Sequence, residues 1–187
     1  MPSPARDRLV DTAAALFYEQ GVTATGVDTV VARSGVAKAT LYAHFHSKDD
    51  LVAAALERRH QRRVASLEAF MHGQPPAPRQ RLLAVFDWLA AWHRGEGRRG
   101  CAFLNAAAEV VAPGHPALAV VRRHRRWLGD YLGTLAAAAG VPEPARTGAD
   151  LLLLLDGASS RFLMDGDPGA AAAARQIAKT LLDARRR

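Results

Sequence analysis

Apolar side chains recur three and four positions apart along most of the chain, and Gly and Pro interrupt the pattern at intervals. Residues 6–20 place Leu9, Val10, Ala13, Leu16 and Phe17 on one helical face, and Gly21 stops that helix. Thr25-Gly26-Val27-Asp28 has the form of a capping box, with the Thr25 hydroxyl on the third N–H and the Asp28 carboxylate reaching back. Val27, Val30 and Val31 follow as a short stripe that ends at Arg33-Ser34-Gly35. Gly35 turns the chain into a second short helix, where Leu41 and Phe45 point inward and Lys38, Thr40, Tyr42 and His44 point outward. Ser47-Lys48-Asp49-Asp50 is a second capping box and opens a long helix over residues 47–72.

Prolines at 75, 76 and 78 end that helix, since proline cannot continue it. The next helix spans 79–94, with Leu82, Val85, Phe86 and Leu89 on one face; Gly95-Glu96-Gly97 links it to a shorter one over 101–111. Pro113-Gly114 closes the latter, and His115-Pro116 opens a helix to residue 139. Gly140-Val141-Pro142 separates it from a helix over 143–164. The loop Asp165-Gly166-Asp167-Pro168 leads to a last helix, with Pro168 near its first turn and Arg185-Arg186-Arg187 at its end. The pattern gives about nine helices and no alternating β-branched run, hence an all-α chain. It divides into a three-helix helix-turn-helix domain over 1–46 and a helical domain over 47–187, with helix 47–72 connecting the two.

A short helix, a glycine turn and a second short helix within about twenty residues is helix-turn-helix spacing. The outward side chains of the second helix are donors on short or rigid stems, which suits phosphate oxygens and base edges in a major groove. The residues that carry this pattern also resemble a family. Leu16-Phe17-Tyr18-Glu19-Gln20-Gly21, the cap at Thr25 and the run GVAKATLYAHFHSKDDL from Gly35 to Leu51 are similar to the tetracycline-repressor-like (TetR) transcriptional regulators. The resemblance covers roughly the first fifty residues and is architectural beyond residue 60. It implies DNA contacts from Lys38, Thr40, Tyr42 and His44, with Lys48 and the amides after Thr25, that of Gly26 first, on phosphates. Ala43 departs from the family pattern by its small size, and Asp28 is acidic where relatives often carry a base-reading donor; it reads here as the capping carboxylate.

Composition agrees with a helical chain: 187 residues, 49% hydrophobic and only 6% aromatic. The net charge of +7 invites a nucleic-acid reading, but residues 1–60 hold 7 basic and 7 acidic side chains, so the whole excess lies beyond the reader. DNA binding must rest on local donors and dimer geometry, not on the net charge. Only 3 of the 25 basic residues are lysines, an arginine and alanine bias that looks like a GC-rich genome. Met1-Pro2-Ser3-Pro4 leads straight into charged residues without a leader pattern, no apolar run approaches a membrane span, and the single Cys101 fits a reducing cytoplasm.

Leu151 to Leu155 is apolar on every helical face, which predicts burial all round. With the small Ala158, Ser159 and the alanines at 170–174, this reads as a four-helix interface, two helices from each subunit of a homodimer, using Leu151, Leu153, Leu154, Ala158 and Phe162. A central core helix in a monomer is the alternative; the TetR resemblance implies pairing through the last two helices.

Candidate effector-pocket residues are Phe70, Phe86, Trp92, Phe103, Asn105, Glu109, Trp127 and Tyr131, with Met71, Trp88, Leu89 and Phe162 beside them; most of these also read simply as core. Asn105 and Glu109 are polar at i, i+4 on an Ala-rich helix and need partners, either a ligand or the arginines at 122–126. The seven histidines are scattered, and no His-Glu-x-x-His, paired Cys, phosphate loop or nucleophile elbow occurs, so neither a metal, a cofactor nor catalysis is expected. Cys101 near a helix start reads as a small buried hydrophobe, with a redox switch as the alternative. The sequence thus predicts a cytoplasmic, homodimeric, ligand-responsive repressor, released from a palindromic operator by a small molecule. The alternative is a helical binding module or enzyme that retains an inert helix-turn-helix.

Overall fold

The computed structural model describes residues 3–185, so Met1, Pro2 and the arginine end expected at Arg186 and Arg187 lie outside the described residues. Among the described residues there are nine helices and no strand. They are α1 Pro4–Gln20, α2 Val27–Ser34, α3 Lys38–His44, α4 Lys48–His72, α5 Pro78–Arg94, α6 Ala102–Glu109, α7 Pro116–Ala138, α8 Pro144–Asp165 and α9 Ala170–Ala184.

Four of these helices begin on a proline, whose fixed φ suits the first turn and whose missing N–H would have no partner there. The first helix starts two residues earlier than its apolar stripe suggests. Ser3 caps it, its Oγ accepting from Arg6 N at 3.3 Å, and Pro4 follows at the first helical position. The second capping box forms as expected, with Asp50 N donating to Ser47 Oγ at 3.1 Å. The first box does not. Gly26, not Thr25, caps α2, and no side chain bonds its first amides. Pro168 stands in the turn before α9, where Asp167 Oδ1 accepts from Gly169 N at 2.8 Å.

The chain divides into two compact units that do not follow the sequence boundary at 46/47. One comprises the chain up to Arg63 together with Ala102–His124; the other comprises Val64–Cys101 and the chain from Arg125 on. Helices α4 and α7 therefore contribute residues to both.

In the first unit α1 packs on α2 and α3, and Leu9, Ala13, Val30, Leu41, Phe45 and Leu51 are sealed from solvent. Arg58 on α4 bonds Asp7 at 2.6 Å and Asp11 at 2.7 Å on α1. The His124 ring stacks on Phe103 with centroids 3.6 Å apart and meets His60 Nδ1 to Nδ1 at 3.0 Å; burial lowers the His60 pKa from its usual value. The second unit holds a continuous apolar core that includes Leu67, Met71, Phe86, Trp88, Leu132, Leu151, Leu155 and Leu182. There α5, α8 and α9 pack together, tied by Arg175–Asp87 at 3.1 Å and Arg79–Asp183 at 2.5 Å.

The leucine run is not buried all round. Leu151 and Leu155 lie in the core, Leu152 and Leu154 are half-buried against it, and Leu153 is 70% exposed. No helix among the described residues is long and apolar enough to cross a membrane.

Candidate nucleic-acid interface

The reading helix α3 is only 7 residues long, too short to hold itself together in water, so its neighbours fix it. Leu41, fully buried, and Phe45, which ends the helix, anchor its inner side, and the Arg6 guanidinium lies 5.3 Å from the Phe45 ring centroid. The turn before it needs a left-handed residue, and Gly35 supplies it at φ 65°, ψ 21°. Ser34 closes the same turn, donating to Val31 O at 3.1 Å and accepting from Val36 N at 3.3 Å.

The outer side of α3 presents Lys38, Tyr42 and Ala43 to solvent, with Thr40 and His44 half-exposed. Lys48 is half-buried in the first turn of α4. Lys38 and Tyr42, one turn apart, share the exposed side of α3, whereas Thr40 and His44 lie on its half-exposed flank, and two of the four carry partners the sequence did not reveal. Lys38 Nζ lies 2.7 Å from Asp28 Oδ1 on α2, and that hydrogen bond, with the carboxylate charge, raises the lysine pKa. His44 Nε2 lies 3.2 Å from Ser3 Oγ, so the cap of α1 and the end of the reader are joined. The only sequence signal for that contact is the Ser-Pro pair at the start of α1.

Thr25 does not cap α2 and does not face solvent. Its hydroxyl is fully buried and donates to Gly21 O at 2.7 Å, with Leu16 O at 3.5 Å as a second acceptor. Gly26, by contrast, is exposed at the N-terminus of α2. Asp28 is not a reciprocal cap either; it sits in the first turn, where the helix dipole favours an anion, and faces Lys38.

A profile of bacterial regulatory proteins of the tetR family matches residues 9–55. The solved structure of a TetR-family transcriptional regulator from Streptomyces coelicolor is 34% identical, with a TM-score of 0.86 over 99% of this chain and 91% of that one. This chain belongs to the TetR family. A TetR transcriptional regulator from Streptomyces avermitilis is 32% identical, with a TM-score of 0.83 and 98% of each chain covered. The HTH-type transcriptional regulator YjdC of Escherichia coli is 23% identical over 95% of this chain and 93% of its own length. This TetR-family chain is accordingly a DNA-binding transcriptional regulator of helix-turn-helix type.

The expected effector-pocket residues of this TetR-family chain fall in both units. Phe103, Asn105 and Glu109 belong to the first unit; Phe70, Phe86, Trp92, Trp127 and Tyr131 belong to the second. Phe103 is core, stacked on His124. Asn105 lines a small, partly open pocket with Phe17, Val52, Leu56 and Ala106. Glu109 meets neither the arginines at 122–126 nor that pocket; its Oε2 accepts from Thr23 N at 2.8 Å, holding the turn between α1 and α2.

In the second unit, Phe86 is core, while Phe70 and Trp92 border an open groove with Ser66, Trp88, Ala91 and Glu96. Trp88 Nε1 donates to Ser66 Oγ at 3.1 Å in its floor. Trp127 and Tyr131 stack at 6.1 Å, and burial raises the tyrosine pKa. Of the expected interface residues, Leu151 and Ala158 are core, Leu154 is half-buried, and Phe162 stacks on His93 at 4.3 Å. Leu153 alone of that set is open to solvent, joined on α9 by Ile177 at 56% exposure.

Proposed function

We propose that this chain is a ligand-responsive transcriptional repressor that binds a palindromic operator as a homodimer. The observation that carries the reading is α3 itself, which holds Lys38 and Tyr42 exposed one turn apart, with Thr40 and His44 half-exposed beside them, while Leu41 is fully buried behind. Donors on a helix fixed from behind suit base edges and phosphates in a major groove. Lys48 and the uncapped amides at the start of α2 suit phosphates on either side.

The dimer reading is supported by a face of α8 and α9 that a soluble chain rarely leaves bare. Ala149, Leu153, Gly157 and Met164 recur at helical spacing on α8, and Ala173 and Ile177 on α9, all exposed. Small residues among larger apolar ones allow helices to approach closely. The effector reading is supported by the aromatic groove of Phe70, Trp88 and Trp92 and by α4, which carries Lys48 at one end and Phe70 near the other. A small molecule needs only differential affinity for two arrangements of such a dimer to change its operator affinity.

Selection of bound duplexes from a random library tests the DNA reading. The enriched sequence should contain an inverted repeat with half-site centres about 34–36 Å apart, one turn of the duplex. Tyr42→Ala and Lys48→Ala should weaken binding to it, and Lys48→Ala should lower the salt slope by about one. An unenriched library, or full affinity in both variants, contradicts the reading.

A further inference from the structure

Asp28 and Lys38 are the only ion pair on the exposed side of the reader among the described residues, and both side chains are mostly in water, at 79% and 55% exposure. Such a pair contributes little to stability, so its effect lies in the charge it presents to a partner. Lys38 opens the reading helix and Asp28 opens the helix before it, so the 2.7 Å contact spans the two. Tyr42, one turn further along α3, is exposed beside the same lysine.

We propose that Asp28 is a specificity-determining residue of the DNA interface, occupying Lys38 so that DNA lacking the operator sequence meets a neutral pair in place of a free cation. Affinity for arbitrary duplex comes from cations that replace condensed counterions on phosphates, roughly one ion per contact. A lysine held by a carboxylate 2.7 Å away displaces none until it changes partner, and the released Asp28 then faces the phosphates as a like charge. Operator DNA offsets that exchange through base contacts made by the rest of α3. Arbitrary DNA offers no such contacts, so the pair acts against the wrong partner. The neutral balance of the first sixty residues, 7 basic against 7 acidic, shows how much one such charge matters here. This inference rests on the DNA reading proposed above.

The test compares wild type, Asp28→Asn, Lys38→Gln and the double variant as full-length chains. Fluorescence anisotropy is read on a random-sequence duplex and on the selected operator across a salt series. Asp28→Asn should bind random duplex ~8-fold more tightly at about 0.1 M salt, with a slope steeper by about one, the effect of one added phosphate contact. Its gain on the operator should be smaller, so that discrimination falls. Lys38→Gln should weaken random binding, and the double variant should return near wild type, because the pair is removed as a unit. Circular dichroism verifies that each variant is folded.

If Asp28→Asn leaves random-duplex affinity and salt slope unchanged while wild type binds operator, the proposal fails and the DNA reading stands. If Asp28→Asn instead changes the preferred base at one operator position with random binding unaltered, Asp28 reads a base directly and the proposal is likewise overturned. If wild type binds no DNA at all, the DNA reading falls and takes this inference with it.

Discussion

Thr25 lies between the end of α1 and the start of α2 with its hydroxyl sealed from water. It donates to the Gly21 carbonyl, the one that follows the last turn of α1. Thr25→Val keeps the shape and removes the donor, leaving that carbonyl unpaired against a methyl group, which costs about 1–3 kcal/mol. The melting temperature should fall by about 2–4 °C per kcal/mol, while Thr25→Ser should stay near wild type. An unshifted transition in Thr25→Val would show that the hydroxyl contributes nothing.

The same residue shows how a local pattern misleads. Thr-x-x-Asp spacing is right for a capping box, but α2 starts one residue later and Gly26 takes the cap. Once the register moved, Thr25 was free to seal the α1 end and Asp28 to face Lys38, ten positions away and on another helix. A local pattern carries no information about a partner that only the turn at Gly35 brings near.

Among the elements, α7 and α8 of the second unit meet main chain to main chain at Gly148. A Cβ on Gly148 would lie 2.7 Å from Gly129 O and 2.7 Å from Gly133 N, both main-chain atoms that cannot swing aside. Gly148→Ala must therefore push the helices apart, at a cost of about 1–3 kcal/mol or more. Chemical denaturation should show the loss as a lower midpoint with little change in slope. A midpoint equal to wild type would mean that the crossing tolerates a methyl group.

Helices themselves were legible because proline and glycine mark their ends in this chain. Pro78, Pro116 and Pro144 each sit at a first position, and Gly21, Gly35 and Gly166 each follow a last one. The faces of α8 were not legible. Five consecutive leucines have no period, so nothing in the sequence separates Leu151 and Leu155, four apart and inward, from Leu153, which points out. The i, i+4 spacing of Asn105 and Glu109 likewise suggests a ligand or the arginines at 122–126 as partners, although Glu109 stands at the end of α6 and reaches a loop amide.

For the whole molecule, the bare face of α8 and α9 separates two kinds of leucine experimentally. Leu153→Arg changes a side chain that is 70% exposed, so the subunit should fold with an unaltered helical spectrum. In the assembly proposed above the same arginine would be buried without a partner, so light scattering should report monomers and operator binding should collapse. Leu151→Arg, at a fully buried position, should instead fail to fold. A Leu153→Arg chain that remains dimeric and binds operator normally would remove that face from the assembly.

The unit that carries the reader takes in Ala102–His124 as well as the chain up to Arg63. During synthesis, then, the recognition helix is among the first parts made and not among the first finished. A nascent chain of a hundred residues carries every residue of α3 but not Phe103, Glu109 or His124, which complete the surroundings of α4 and the turn before α2. At about 5–20 residues per second, the ribosome leaves that core open for several seconds while the intervening segment emerges. About two-thirds of the chain must be made before every residue of the unit that carries the reader exists.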